Sequence, residues 1–210
     1  MRQGTIGRRF CEKTQMRTEP RKNTVARKKV VQREVSIARQ VGPISDPVCS
    51  PNCPDYDPNI KCHNACENAP LRLSSDPDQF PIEKGIAPLV FELKRLGVFY
   101  PCWSCEGHND QFGKPWKNPS VWFYADSVVH VRALSNVIDY LIHTKQLSSR
   151  WVVIVTFSDL DNPDTVFSLE PITQGTRVNL SDVQKDVFIL SSSIAKLFVE
   201  KCDELMKNAG

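Results

Sequence analysis

Cys102 and Cys105, followed by Glu106, His108 and Asp110, make the stretch YPCWSCEGHND at 100–110 the densest run of chemically competent side chains in the chain. Two thiols two residues apart are the spacing of a zinc knuckle, where a tight turn supplies two of four tetrahedral ligands. The same spacing serves a dithiol redox pair. His108 can add a third ligand. Three protein ligands with one open position are the arrangement of a catalytic zinc, which makes Glu106 and His108 candidate catalytic residues, Glu106 as proton shuttle. Redox chemistry asks for more than spacing, because the first thiolate needs a helix N-terminus to lower its pKa. The residues that follow, EGHNDQFGKPWKNP, hold two Gly and two Pro and read as loop.

Two further pairs lie upstream, Cys49 with Cys53 and Cys62 with Cys66, each separated by three residues. Pro51 and Pro54 favour a knuckle-like loop at the first pair, whereas KCHNAC could form a helical turn with both thiols on one face. His63 could stand in for one of its neighbours. These four cysteines are a complete thiolate set for zinc or for an iron–sulfur cluster. Alternatively, one of these pairs joins Cys102 and Cys105 in a single shared site, stapling the Pro-rich segment to the rest of the chain. Disulfides or free thiols are the competing readings. Cys11 and Cys202 complete the eight.

No stretch approaches the roughly 20 apolar residues of a membrane span, and the first residues lack the apolar core of a secretory signal. The expectation is a soluble, cytoplasmic protein in a reducing compartment, where paired cysteines bind metal more often than they form disulfides. Net charge is +3, unevenly spread: residues 1–40 carry 12 Lys/Arg against 3 Glu, and the remainder carries 15 against 21 acidic residues. A basic arm on a mildly acidic body could bind nucleic acid through residues 2–39, or could simply be solvated.

The elements that must hold these residues fall into three regions. Residues 1–45 form the basic arm, disordered or with a short amphipathic helix on Val31, Val35 and Ala38 that stops at Gly42–Pro43. Residues 46–80 are rich in Cys and Pro, with little apolar periodicity, and need a metal clip or a body to lie against. Residues 81–210 read as an α+β domain, in the order α-β-β-α-β-β-α. Its first helix carries Leu89, Leu93 and Leu96 on one face and ends at Gly97. The next carries Val131, Leu134, Ile138 and Leu141. RWVVIVTFSD and DTVFSLEP read as a hairpin around the acidic loop SDLDNPD, whose Asp and Asn suit a turn better than a cation site. The last helix opens with a capping-box pattern, Ser181 with Gln184. His130 and His143 read as ordinary helical residues. Trp103, Trp116 and Trp122 are expected to be buried, although exposed ones could stack bases. The whole predicts a roughly four-stranded, largely antiparallel sheet with packed helices.

FYPCWSCEGH, VWFYADS and VTFSDLDNPDTVFSLEP resemble stretches of a bacterial protein family with no established activity, over about 90–170. SCEGH at 104–108 is similar to the Ser-Cys-Ser-Gly-Arg signature of the wybutosine-synthesis methyltransferase family at Ser104, Cys105 and Gly107, with Glu106 and His108 departing from it. Neither resemblance implies an activity. The residues themselves favour a zinc-binding protein acting as a binding or regulatory module, with a metal-assisted or thiol-dependent enzyme at Cys102, Cys105, Glu106 and His108 as the alternative.

Overall fold

Leucines at helical spacing behind a proline, and apolar runs bounded by Gly and Pro, become the expected elements in a computed structural model, which describes residues 24–41, 53–59, 63–156, 164–173 and 179–209. Helix α1 spans Thr24–Val41, α2 Ala69–Leu73 and α3 Ala87–Arg95, followed by strand β1, Phe99–Cys105. A two-stranded arm follows, β2 (His108–Asn109) with β3 (Pro115–Lys117), then β4 (Ser120–Ala125) and α4 (Val128–His143). The chain closes with β5 (Arg150–Thr156), β6 (Val166–Ile172) and α5 (Leu180–Ala209).

The four long strands form one antiparallel sheet in the order β1-β4-β6-β5. β5 and β6 are the expected hairpin, paired from Arg150↔Ile172 to Thr156↔Val166. Alternation sorts the strands into two faces. Phe99, Val121, Phe123, Leu169 and Trp151 face the helices and join one core with Leu89, Leu93 and Leu96 of α3, Leu134, Val137 and Ile138 of α4, and Leu190, Ile194 and Phe198 of α5. The opposite face carries Tyr100, Trp103, Trp122 and Tyr124, set in the cross-strand pairs Tyr100↔Tyr124 and Trp103↔Trp122. β1 changes register between Pro101 and Trp103, so Cys102 is an extra residue bulged out of the ladder.

Helix α1 forms where its apolar spacing predicts, and its Val35 and Ala38 are buried in the core between α4 and α5. His130 on α4 ties it down through Nε2, 2.8 Å from the Glu34 carbonyl oxygen. The described part of the Cys/Pro-rich segment lies against α3: Ala69 packs on Phe91, and the Asn64 amide donates to the buried Glu92 carboxylate at 3.0 Å. Arg95 holds that carboxylate from the other side, its Nη2 donating at 2.7 Å.

One expected cap is corrected. The side chain of Asn179, not Ser181, accepts the backbone N–H of the first turn of α5, at Ser181 N, 3.1 Å away. Asn is as good an N-cap as Ser, and its use frees Gln184 for a contact described below. No helix among the described residues is long and apolar enough to cross a membrane.

Candidate metal centre

β1 ends at Cys105, and two residues later the chain has doubled back. Gly107 makes this turn with φ +85°, a left-handed conformation that favours glycine. A Cβ there would sit 2.7 Å from Pro119 Cδ and 2.9 Å from Pro119 N. The turn returns His108 toward Cys105, where both meet Glu83, contributed by the turn that leads into α3. The Glu83 carbonyl accepts the N–H groups of Ile86 and Ala87 at 3.2 and 3.1 Å, so the start of that helix fixes its position.

One ligand atom from each of Glu83, Cys105 and His108 lies within 4.8 Å of the other two, so together they could hold a metal ion. His108 Nε2 stands 2.7 Å from Glu83 Oε1. Glu83 Oε2 accepts the backbone N–H of Glu106 at 2.6 Å. Glu106 answers in kind, its Oε2 accepting the Gly85 N–H at 2.7 Å. Two segments separated by twenty residues of sequence are thus clasped by reciprocal carboxylate–backbone bonds. Gly85 permits the close approach, since a Cβ there would lie 2.7 Å from Glu106 Oε2. From the other side, Gln184 of α5 donates to the carbonyls of Glu106 and Gly107 at 3.2 and 3.4 Å.

Burial pushes the Cys105 thiol up, the Gly107 N–H at 3.4 Å draws it down, and the Glu83 charge and hydrogen bond raise it against the pull of Lys117. Lys117 pairs with His108 across the small arm and lays its ammonium 4.4 Å from the Trp103 ring centre. The group is therefore a thiol, an imidazole and a carboxylate held by hydrogen bonds, bounded by a cation and a tryptophan.

The structure brings Cys105 and His108 together and adds Glu83, which no spacing motif marks: it stands alone in PIEKGIAP. Cys102 is not drawn in. Cys102 and Cys105 lie on an extended strand, where three residues advance about 10 Å, and one is exposed while the other is buried. Two ligands on one zinc must come within about 3.7 Å of each other. Glu106 lies beside the group, outside the cluster of three, with Oε2 accepting from Gly85. Cys49 and Cys62 lie outside the described residues. Cys53 is buried and Cys66 half-buried, and neither joins a cluster of three metal-ligating side chains among the described residues. The SDLDNPD loop is described only at Asp164. The reading of His143 as an ordinary helical residue holds, its Nδ1 lying 2.7 Å from the Asp139 carbonyl.

A strand at the Cys pair removes the helix N-terminus that dithiol exchange requires. The Cys102 thiol, on an exposed residue, is still pushed up by partial desolvation. Cys202, 1% exposed on α5, is pushed to about 11 by burial and by Asp203. Iodoacetamide at pH 8 should therefore modify Cys102 at least about 10-fold faster than Cys202, read peptide by peptide in a mass spectrometer. Equal rates would show that α5 opens readily.

Gly107 gives a second expectation. Gly107→Ala should lower stability by about 2–4 kcal/mol, from left-handed strain plus the clash with Pro119, and should shift the urea midpoint accordingly.

Comparison of the chain with protein-family models, with curated proteins and with solved structures finds no match.

Proposed function

We propose that the protein is a zinc-binding module whose ligands are the Cys105 thiolate, His108 Nε2 and the Glu83 carboxylate. The observation that carries this reading is the approach of three different donor atoms within 4.8 Å of one another. Neighbouring ligands on a zinc tetrahedron lie about 3.3–3.8 Å apart, given bonds of about 2.0–2.3 Å. Closing the wider gaps by up to about an ångström, opening the 2.7 Å His108–Glu83 contact by about half an ångström, and losing the thiol proton and the proton on His108 Nε2 convert the hydrogen-bonded group into a coordination site. The donor set favours zinc: magnesium and calcium prefer oxygen alone, and an iron–sulfur cluster prefers thiolates at most positions. Three protein ligands leave one position for water or a partner's side chain. The Glu83–Glu106–Gly85 clasp holds the ligands in place by itself, so metal can enter and leave a folded chain, as a binding or regulatory role requires.

The enzyme reading rests on that same open position. It is the weaker of the two, because Glu106 Oε2 accepts from Gly85 and so ties the carboxylate to the turn before α3.

Cobalt titration of metal-free protein tests the assignment. One equivalent, with a thiolate charge-transfer band, is expected in the full chain and in a variant with Cys49, Cys53, Cys62 and Cys66 all changed to serine. The reverse pattern, binding lost with those four and kept without Cys105, would overturn it.

A further inference from the structure

We propose that the aromatic face of the sheet binds single-stranded nucleic acid, with bases stacked on Tyr100 and Trp103. The chain has four tryptophans, and core burial is their ordinary fate. Instead Tyr100 is 51% exposed and Trp103 38% exposed, side by side with half-buried Tyr124 and Trp122 on the next strand. Trp103 and Trp122 have ring centres 4.9 Å apart, tilted by 49°, so each limits the other's rotation. Rings ordered before a ligand arrives cost little entropy when a base stacks on them. Stacking is worth most to a partner that is itself a row of flat rings, and every base offers such a face.

Charge decides between a nucleic acid and an apolar protein surface. Lys117 places its ammonium at the Trp103 ring, and Lys114 stands exposed on the same arm. A base stacking on Trp103 would displace that ammonium from over the ring toward the adjacent phosphate, whereas an apolar partner would have to desolvate it. Of the carboxylates beside the face, Asp126 accepts from the Tyr100 hydroxyl, Glu170 accepts from Ser168 Oγ at 2.6 Å, and Glu83, in the group beside Lys117, accepts from the Glu106 N–H at 2.6 Å. A second basic surface favours a polyanion as well. Helix α1 exposes Arg27, Lys28, Lys29 and Arg33. It belongs to the helix layer, so it adds affinity for strands long enough to wrap the edge of the molecule.

Trp116, 73% exposed, serves as an internal control. It stands on the separate β2-β3 pair, at the register shift opposite His108–Asn109, and pairs with no residue of the four-stranded sheet that carries the aromatic face.

Fluorescence anisotropy of a labelled twelve-nucleotide oligothymidylate, titrated with the full chain, provides the test. Saturable binding with a Kd on the order of 1–100 µM at low salt is expected. Trp103→Ala should weaken it by about 5- to 100-fold. Tyr100→Ala, a substitution at an exposed edge position, should weaken it to a similar degree and covers the case in which the tryptophan variant misfolds. Trp116→Ala should stay within about twofold of the parent, and Lys117→Gln should lower the salt dependence by about one phosphate. The same sequence as a duplex should bind more weakly than the single strand. Absence of saturable binding overturns the proposal. So does binding that survives both aromatic substitutions, which would assign the affinity to α1 alone, and so does loss of binding in Trp116→Ala with Tyr100→Ala unaffected. Concentration-dependent self-association without oligonucleotide binding would assign the face to a protein partner, and overturns it too.

Discussion

Cys105→Ala should abolish the thiolate charge-transfer band of the cobalt-loaded protein and weaken zinc binding by at least about 100-fold. Residues that merely orient ligands typically cost 10–100-fold when removed, so a ligand should cost at least the upper end of that range. The thiol is the softest of the three donors and the only one fully sequestered, at 3% exposure. Its removal leaves an imidazole and a carboxylate, which stand 2.7 Å apart in the metal-free chain and would have to separate to share a metal. The substitution deletes one atom and should leave circular dichroism unchanged. Glu83→Gln makes a useful companion. The amide oxygen can still accept from the Glu106 N–H, so the turn survives while the ligand's charge is lost. A Cys105→Ala protein that binds zinc like the parent would remove the assigned site altogether.

Asp186→Ala should be strongly destabilising, by about 2–4 kcal/mol. Asp186 is 1% exposed on α5 and accepts four hydrogen bonds. Ser148 N donates to one oxygen at 2.8 Å, while Ser149 N, Ser148 Oγ and Trp151 Nε1 each donate to the other at 3.0 Å. Alanine would leave the buried indole N–H without its acceptor and remove the acceptor of two partly exposed backbone N–H groups at Ser148 and Ser149. Domains of this kind hold about 5–15 kcal/mol in total, so the loss is a large share. Urea unfolding should show a much lower midpoint with an unchanged slope. Asn should fare little better, since its amide group turns a donor toward one set of donors. A midpoint within the scatter of the parent would mean that water takes over the carboxylate's role.

The contrast between these two residues shows what was readable in the chain. The core was legible, because helix and strand periods are local properties. Leu89, Leu93 and Leu96, or Val131, Leu134 and Ile138, announce a face wherever that face points. Asp186 was silent, because its donors sit 35–38 residues away and no spacing encodes them. Glu83 was silent for the same reason. A carboxylate ahead of a helix looks like ordinary N-terminal charge until the fold brings β1 to it. Cys105 and His108 were legible as chemistry, but their true partner was not. The knuckle reading of Cys102 and Cys105 assumed a turn where pairing with Ser120–Ala125 keeps the chain extended. Gln184 suited a capping box by spacing alone, yet Asn179 caps α5 and Gln184 reaches across to the carbonyls before His108.

The extra residue in β1 acts on the strand like a change of reading frame. Up to Pro101 the odd-numbered side chains face the core, with Phe99 among the helices. From Trp103 onward the odd-numbered side chains face outward, paired with Trp122 and Ser120. An unbroken strand would turn Cys105 into the hydrophobic interior and send Ser104 toward Glu83. Deleting Cys102, a residue that ligates nothing in the proposed site, would keep Trp103 opposite Trp122 in a regular ladder, whereas drawing residue 102 into the pairing would exchange tryptophan for serine on the exposed face and withdraw the thiol from its partners. The least conspicuous cysteine of the pair sets the phase in which the other is read.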